Sequence, residues 1–187
     1  MKYREMAGEK ISVLGFGCMR FPTTSKNAED IDAEKSAKIL EYAIENGVNY
    51  FDTAYVYHGG KSESFIGGVL KPYRDKIHIA TKCPTWEVKC EEDFDRLLNE
   101  QLERLQTDYI DFYLMHALDK DRFKNVVEKF NLIDKLNKAK ADGKIRHIGF
   151  SFHDDVETFK KIIDANPDWE FCQIQLNYIN VKYQAGL

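Results

Sequence analysis

Apolar residues follow two alternating patterns along this chain. Short runs rich in Ile, Val, Phe and Tyr have the length and composition of buried strands. Six such runs are VLGFG (13–17), VNYFDT (48–53), IHIATK (77–82), YIDFYLMH (109–116), IRHIGFS (145–151) and FCQIQLN (171–177). Between them, apolar residues recur at the three- and four-residue spacing of amphipathic helices. The alternation predicts strand–helix–strand units and therefore a parallel sheet.

The predicted helices are bounded by residues that commonly start or stop a helix. Four long apolar stripes cover 37–44, 94–105, 123–133 and 156–163, and a shorter helix is predicted at 62–70. Gly47 follows the first stripe, and Asp-Gly and Asn-Pro pairs stop the third and the fourth. The N-terminal residues YREMAGEKISVLG predict an additional hairpin with its turn near 7–9.

A doubly wound sheet and a (β/α)₈ barrel both fit this alternation, and polar residues at the strand ends separate them. Asp52, Lys82, His116 and Ser151 end four successive apolar strands, and Gln173 interrupts the sixth. In a parallel barrel these ends open on one face, which carries the active site. GFGCMR after the first strand lacks the third glycine and the helix of a dinucleotide-binding turn. We therefore expect a barrel.

Composition narrows the classes of partner. The 187 residues carry a net charge of −4 with a pI near 5.8, which gives no general reason to expect nucleic acid binding. The chain has no run long enough to span a membrane, and MKYREMAGEK lacks the apolar stretch of a signal peptide. We expect a single domain over 1–187 that stays in the cytoplasm.

The four cysteines are not spaced as metal ligands. Cys18, Cys83, Cys90 and Cys172 form no CxxC pair and have no second His or Cys at ligand spacing. Because cytoplasmic thiols stay reduced, we expect four small buried hydrophobic residues and no metal site.

The residues near the strand ends point to one reaction when they are taken together. Taken singly, Lys82 could reach to water, His116 could be structural, Asp52 could cap a turn and Tyr57 could be half-buried filler. Taken together, they can form a site in which Tyr57 acts as a general acid. A phenol with an ordinary pKa of about 10 is too weak a general acid near neutral pH, and a nearby ammonium strengthens it. Asp52 would keep that lysine charged, and His116 would donate a hydrogen bond to an oxygen that gains negative charge.

These residues resemble the catalytic tetrad of the aldo-keto reductases. The resemblance rests on FDTAYVY, on the lysine of IATK and on the histidine of FYLMH. It extends to LGFGCMRFP, SESFIGGVL, LERLQTDYIDFYLMH and ADGKIRHIGFS, and thus covers nearly the whole chain. SFHDD and the ending FCQIQLNYINVKYQAGL look like a bacterial subgroup that often carries a C-terminal iron–sulfur segment.

The resemblance implies a (β/α)₈ barrel enzyme that reduces a small aldehyde or ketone to an alcohol. The cofactor would be NADP(H), with NAD(H) as the alternative, and Tyr57 would be the general acid, assisted by Lys82, Asp52 and His116. The resemblance also implies cofactor-binding residues. Ser151 and Gln173 match positions that hold the nicotinamide carboxamide, and Cys18 and Met19 match positions that border the cofactor.

Two departures from the family pattern qualify these expectations. The family commonly has Asn after the serine of the fifth strand, whereas Phe152 and His153 follow Ser151 here, so His153 is a candidate replacement. The chain also ends at Leu187 after about six β/α units and an N-terminal hairpin, without a cysteine cluster for an iron–sulfur centre. We expect a truncated barrel with exposed edges that favour self-association, and the sequence leaves open whether this piece alone is active or inactive.

Two other functions fit the same sequence. A binding or regulatory module on the reductase fold would bind cofactor without turnover, which a turnover assay would reveal. Alternatively, Lys82 could form a Schiff base with a carbonyl substrate. The neighbouring Asp52 argues against this, because it would keep the amine protonated.

Overall fold

The N-terminal residues form the predicted hairpin. A computed structural model describes residues 1–184. Strand β1 (Tyr3–Met6) pairs antiparallel with β2 (Glu9–Ser12). Ala7 and Gly8 make the turn with φ of 52° and 82°, in the left-handed region that glycine adopts most readily. The expected hairpin and the position of its turn are confirmed.

The six apolar runs are the strands of one sheet. They are β3 (Phe16–Gly17), β4 (Tyr50–Asp52), β5 (His78–Cys83), β6 (Ile110–Leu118), β7 (Ile145–Phe152) and β8 (Phe171–Ile174). The strands are ordered as in the chain, and the pairs β3–β4, β4–β5 and β7–β8 are parallel. Only the last two residues of the first run form a strand, and 13–15 lie outside the sheet.

Helices alternate with these strands as predicted. They are α1 (Ala33–Glu45), α2 (Ser62–Leu70), α3 (Glu92–Leu105), α4 (Lys120–Arg122), α5 (Leu132–Ala141) and α6 (Val156–Ala165). Asp32 and Asp155 cap α1 and α6 by accepting hydrogen bonds from the backbone N–H of Lys35 and Thr158. Gly47 follows α1 with φ of 85°, as expected for a residue that ends a helix. Within residues 1–184, no helix is both long and apolar enough to cross a membrane.

The prediction of one continuous helix over 123–133 is wrong, because two helical segments cover this range. A π-helical segment, Phe123–Glu128, follows α4, and α5 begins only at Leu132. Asn131 separates them with φ of 50° and ψ of 40°, a left-handed conformation that asparagine tolerates better than most residues. The buried residues Val127 and Leu132 are five apart, a spacing that a continuous helix would not place on one face.

The chain divides into two compact units, each with an apolar interior. The first unit contains 1–81 and 99–111, and the second contains 82–98 and the described residues from Phe112 onward. Fully buried side chains of the first unit include Leu40, Phe51, Ile66, Leu70 and Ile79. Those of the second include Phe94, Phe112, Tyr113, Phe150 and Phe152. A single domain over 1–187 stays a prediction.

The expectation of four buried cysteines is wrong for two of them. Cys18 and Cys83 are buried, whereas Cys90 and Cys172 are exposed. Cys90 lies in the loop before α3, where its backbone N–H donates to the Asp93 carboxylate at 3.2 Å. Cys172 lies in β8, the last strand in the sheet order, whose residues 172–174 are all exposed. Burial raises the pKa of the Cys83 thiol to about 12, which makes it inert near neutral pH.

Candidate functional site

In the first unit, Tyr57 lies on a turn-like loop, called the Tyr57 turn below, whose two ends are joined by a hydrogen bond. The turn begins where β4 ends at Asp52 and finishes where α2 begins at Ser62. Hydroxyls of Thr53 and Ser62 are 2.9 Å apart, and both side chains are buried. Tyr57 opens a 3₁₀ segment, and its backbone N–H donates to the carbonyl of Ala54 at 3.1 Å. The Tyr57 side chain is half-buried.

The structure places Cys18 beside Asp52 through the backbone. Cys18 N–H donates to the carbonyl of Asp52 at 2.8 Å, and the preceding Gly17 is aligned with Asp52 in the β3–β4 pair. Ser62 Oγ also donates to the carbonyl of Cys18 at 3.0 Å. Cys18 is buried, but Met19 is about half exposed, at 51%. Of the two expected cofactor residues here, Met19 alone offers its side chain to solvent or to a ligand.

The other tyrosine of the motif, Tyr55, is engaged in an ion-pair network. Its hydroxyl lies 3.2 Å from both carboxylate oxygens of Glu100, and the Arg104 guanidinium lies 4.2 Å from its ring centroid. Arg104 also pairs with Glu100. Burial, followed by the charge of Glu100, raises the pKa of Tyr55 despite the opposing charge of Arg104. Tyr55 is therefore poorly suited to donate a proton.

A buried carboxylate that was not among the predicted site residues follows this turn. Glu63, in the first turn of α2, is fully buried. Its carboxylate accepts hydrogen bonds from Thr81 Oγ1 and Gln101 Nε2, each at 2.6 Å, and Arg104 Nη1 lies 3.4 Å away. A glutamate one residue after a serine at a helix start is ordinarily an exposed residue that favours the helix dipole. Its burial depends on α3, which local sequence does not reveal.

In the second unit, Lys82 and His116 lie in neighbouring strands near their carboxyl ends. Lys82 is the penultimate residue of β5 and is buried, with 2% of its surface exposed. His116 comes two residues before the end of β6. Its carbonyl accepts a hydrogen bond from Thr85 Oγ1 at 3.0 Å, and its ring centroid lies 5.0 Å from that of Trp86.

His116 is neutral over the physiological pH range. Burial lowers the pKa of His116 to about 3, and the positive charge of Lys82, followed by that of His153, acts in the same direction. A neutral imidazole carries one N–H donor and one acceptor nitrogen. His116 can therefore donate a hydrogen bond without itself being a general acid near neutral pH.

The remaining predicted residues of the second unit lie on β7, on β8 and in the loop after β7. Ser151 Oγ accepts a hydrogen bond from the backbone N–H of Ala117 at 2.7 Å, which places it beside the strand of His116. Ser151 and Gln173 are aligned in the parallel β7–β8 pair, and Gln173 is exposed. His153 is exposed, and its Nδ1 lies 3.2 Å from Oε1 of Gln184.

The predicted site residues thus fall into two groups, each held within its own unit. The first group is Asp52, Tyr57, Cys18 and Met19, and the second is Lys82, His116, Ser151, His153 and Gln173. Over residues 1–184, the His, Cys, Asp and Glu side chains form no cluster of three or more that could hold a metal ion.

The chain belongs to the aldo/keto reductase family, whose sequence profile matches residues 13–186. The Glycine max protein named probable aldo-keto reductase 1 is 32% identical to it over 153 residues. The match covers 77% of this chain and 42% of that protein, so the chain spans less than half of the relative's length.

Solved aldo-keto reductases share the fold. Aldo-keto reductase AKR11C1 from Bacillus halodurans, in its holo form, matches with a TM-score of 0.75 and 29% identity, over 94% of this chain and 57% of that one. An aldo/keto reductase from Klebsiella pneumoniae, solved with NADP and acetate, matches with a TM-score of 0.64 and 26% identity, over 81% and 49% of the two chains. The expected fold class, a partial (β/α)₈ barrel with an N-terminal hairpin, is confirmed.

Proposed function

We propose that the protein containing this chain reduces an aldehyde or ketone to an alcohol, with NADP(H) as cofactor and Tyr57 as the general acid. Membership of the aldo/keto reductase family supports an oxidoreductase. The observation that carries the finer proposal is His116, whose pKa of about 3 keeps it a neutral hydrogen-bond donor beside a buried lysine. A structural histidine on a strand does not need a cationic neighbour of this kind.

Each residue of the tetrad has a distinct part in the proposed reaction. When bound, the reduced nicotinamide supplies the hydride that the carbonyl carbon accepts. Tyr57 gives its phenolic proton to the carbonyl oxygen, and the Lys82 ammonium stabilises the phenolate that remains. Asp52 keeps that ammonium charged. His116 donates a hydrogen bond to the same oxygen, where negative charge develops in the transition state.

Chemical complementarity supports the proposed cofactor contacts. Ser151 and Gln173 are aligned on neighbouring strands and supply a hydroxyl and a side-chain amide, which match the donor and acceptor of a nicotinamide carboxamide. The Ser151 oxygen accepts from Ala117 N–H and still has its own proton to donate. Cys18, Met19 and His153 are the further proposed contacts. NADP in the Klebsiella pneumoniae structure favours NADP(H) over the alternative, NAD(H).

The substrate in this proposal is a small carbonyl compound. Since the chain covers between 42% and 46% of the first curated relatives, turnover is proposed for the whole protein. Turnover by these 187 residues alone, and their self-association, are separate questions. A titration of the chain with NADPH and then NADH, followed by cofactor fluorescence, measures whether the chain alone binds cofactor, and a carbonyl-reduction assay then measures its turnover.

The decisive experiment compares two substitutions in the same motif. Tyr57→Phe removes the proposed proton donor, so we expect kcat for carbonyl reduction to fall by about 10²–10⁴-fold with an unchanged Kd for NADPH. Tyr55→Phe is the matched control, because it removes a hydroxyl that binds Glu100 and takes no part in the reaction. Full turnover in the Tyr57→Phe protein, or an equal loss in both variants, would contradict the assignment.

A further inference from the structure

His58, the residue after Tyr57, holds a backbone conformation that its side chain disfavours. Its φ of 54° and ψ of 43° lie in the left-handed region, where a non-glycine residue is uncommon and strained. Gly59 and Gly60 follow with φ of 62° and 88°. These two glycines adopt such angles without cost, so the turn could have used glycine at 58 as well. The imidazole must therefore contribute something that compensates for the strain.

The imidazole makes two hydrogen bonds to the backbone of a separate segment of the first unit. Phe21 N–H donates to Nε2 at 3.0 Å, and Nδ1 lies 2.5 Å from the carbonyl oxygen of Ala28. Because Nε2 accepts, it carries no proton, and Nδ1–H is then the donor to Ala28. The ring is buried, with 7% of the residue exposed, and lies 5.5 Å from the ring of Phe21. One protonation state and one tautomer satisfy both bonds.

The segment that His58 contacts is itself an ordered loop. It runs from the end of β3 to the start of α1 and includes Met19. Asp32 N–H donates to the carbonyl of Pro22 at 2.8 Å, and Thr23 forms an isolated antiparallel bridge with Ile31. His58 therefore connects the Tyr57 turn to a loop that is anchored at its far end.

We propose that His58 is a positioning residue that holds the Tyr57 turn against the 21–28 segment as the neutral Nδ1–H tautomer. The proposal rests on the proposed function in so far as Tyr57 is the acid. Thr53 and Ser62 close the base of the turn, but the bonds of His58 are made next to Tyr57 itself. A bridge at this place limits the motion of the phenol, and a small misplacement of a catalytic group is costly in rate.

Two substitutions separate the imidazole bridge from the backbone conformation. His58→Gly relieves the strain and removes both side-chain bonds. His58→Asn also suits the left-handed conformation, and its amide can still donate to Ala28, but it cannot reach Phe21 N–H as an acceptor at the same time. If the left-handed backbone were all that mattered, glycine would serve at least as well as histidine.

Amide hydrogen exchange reports on the bridge without any need for turnover. The reporters are the amides of Phe21, Tyr57 and Lys61, which donate to His58 Nε2, to the carbonyl of Ala54 and to the carbonyl of His58. We expect the Phe21 amide to exchange about tenfold faster in both variants. The amides of Tyr57 and Lys61 should exchange fastest in His58→Gly and at an intermediate rate in His58→Asn. Unchanged or slower exchange in His58→Gly would overturn the proposal.

Two further measurements complete the test. ¹⁵N shifts of the His58 imidazole in the unmodified chain should show a protonated Nδ1 and an unprotonated Nε2, and the opposite tautomer would overturn the bridge. With NADPH and a carbonyl substrate, His58→Gly should lower kcat by about tenfold with little change in KM, as expected when an interaction made in the transition state is lost. Full kcat in this variant would overturn the positioning role. Absence of turnover in the unmodified protein would instead refute the proposed function. The amide exchange rates and the imidazole ¹⁵N shifts would still decide whether His58 forms the bridge.

Discussion

Two buried carboxylates in the first unit, Glu63 and Asp111, differ in the charge that compensates them. Asp111, near the start of β6, lies 2.7 Å from Arg74 Nη2 and accepts a hydrogen bond from Ile79 N–H at 2.9 Å. His78 Nδ1 lies 3.7 Å from its other oxygen. Burial alone would raise the pKa of Asp111, but the neighbouring His78 side chain, the charge of Arg74 and the hydrogen bond from the Ile79 amide together lower it.

Glu63 has donors of a different kind. Thr81 and Gln101 are neutral, and Arg104 lies 3.4 Å away and also serves Glu100 and Tyr55. Burial therefore prevails over the hydrogen bonds, and the pKa of Glu63 is raised. Both carboxylates are inaccessible to solvent, so burial alone does not decide the direction of the pKa shift. The directions differ because Asp111 has His78 and a close Arg74, whereas Glu63 shares the more distant Arg104 with Glu100.

The two carboxylates also lie near opposite ends of the parallel strands. Asp111 and its partner Ile79 lie near the strand beginnings, where residues of parallel barrels serve stability. Glu63 binds Thr81, the residue before Lys82, and begins the helix that follows the Tyr57 turn. We infer that Asp111 stabilises the fold, whereas Glu63 carries a poorly compensated charge beside the strand ends.

The largest expected effect is that of Asp111→Asn. Removing the charge leaves Arg74 without its buried partner, so we expect the free energy of unfolding at pH 7 to fall by about 3 kcal/mol. Because the folded pKa is lowered, this stabilisation is present above the pKa of an unfolded aspartate and is lost as pH falls through the folded value. Urea denaturation at several pH values measures it. Asp108→Asn, at an exposed position of the same unit, is the control and should change stability by less than about 0.5 kcal/mol.

Glu63→Gln should have the opposite sign and a smaller size. Because the folded pKa is raised, the carboxyl group stabilises the fold below its unfolded pKa, and this contribution is lost as pH rises through the folded value. Gln resembles the protonated form, so we expect unfolding at pH 7 to cost up to about 1 kcal/mol more than in the unmodified chain. The difference should shrink towards pH 4. A loss of stability like that of Asp111→Asn would abolish the distinction between the two carboxylates.

Tyr55→Phe tests the outer part of the Glu63 network and should have the smallest effect. It removes one partly buried hydrogen bond to Glu100, while the ring keeps its contact with Arg104. We expect a loss of about 0.5 kcal/mol in thermal or urea unfolding. Tyr42→Phe, at a position that is 68% exposed, is the matched control and should be close to neutral. A loss much larger than this would show that Arg104 depends on Tyr55 and compensates Glu63 more fully than its distance indicates.

Much of the local structure was predictable because it depends on residues close in sequence. Short continuous apolar runs located the strands, apolar residues three or four apart located the helices, and the bounds of α2 match the predicted 62–70. The ends of β5, β6 and β7 lie one or two residues beyond Lys82, His116 and Ser151. Strand ends depend on the neighbouring strand, so sequence pattern located them only approximately.

The sequence by itself determined the alternation of strands and helices, the hairpin and the motif residues that show family membership, because each depends on local spacing and side-chain chemistry. Tertiary structure decided which polar groups are buried and what compensates them. Glu63 and Asp111 are both acidic residues in ordinary surroundings in sequence, and partners distant along the chain, His78 and Arg74 for Asp111 and a shared Arg104 for Glu63, distinguish their pKa values. The tautomer of His58 likewise depends on its contact with Phe21, which no local pattern specifies. The helix break depends on the left-handed backbone conformation of Asn131, which the apolar pattern did not indicate.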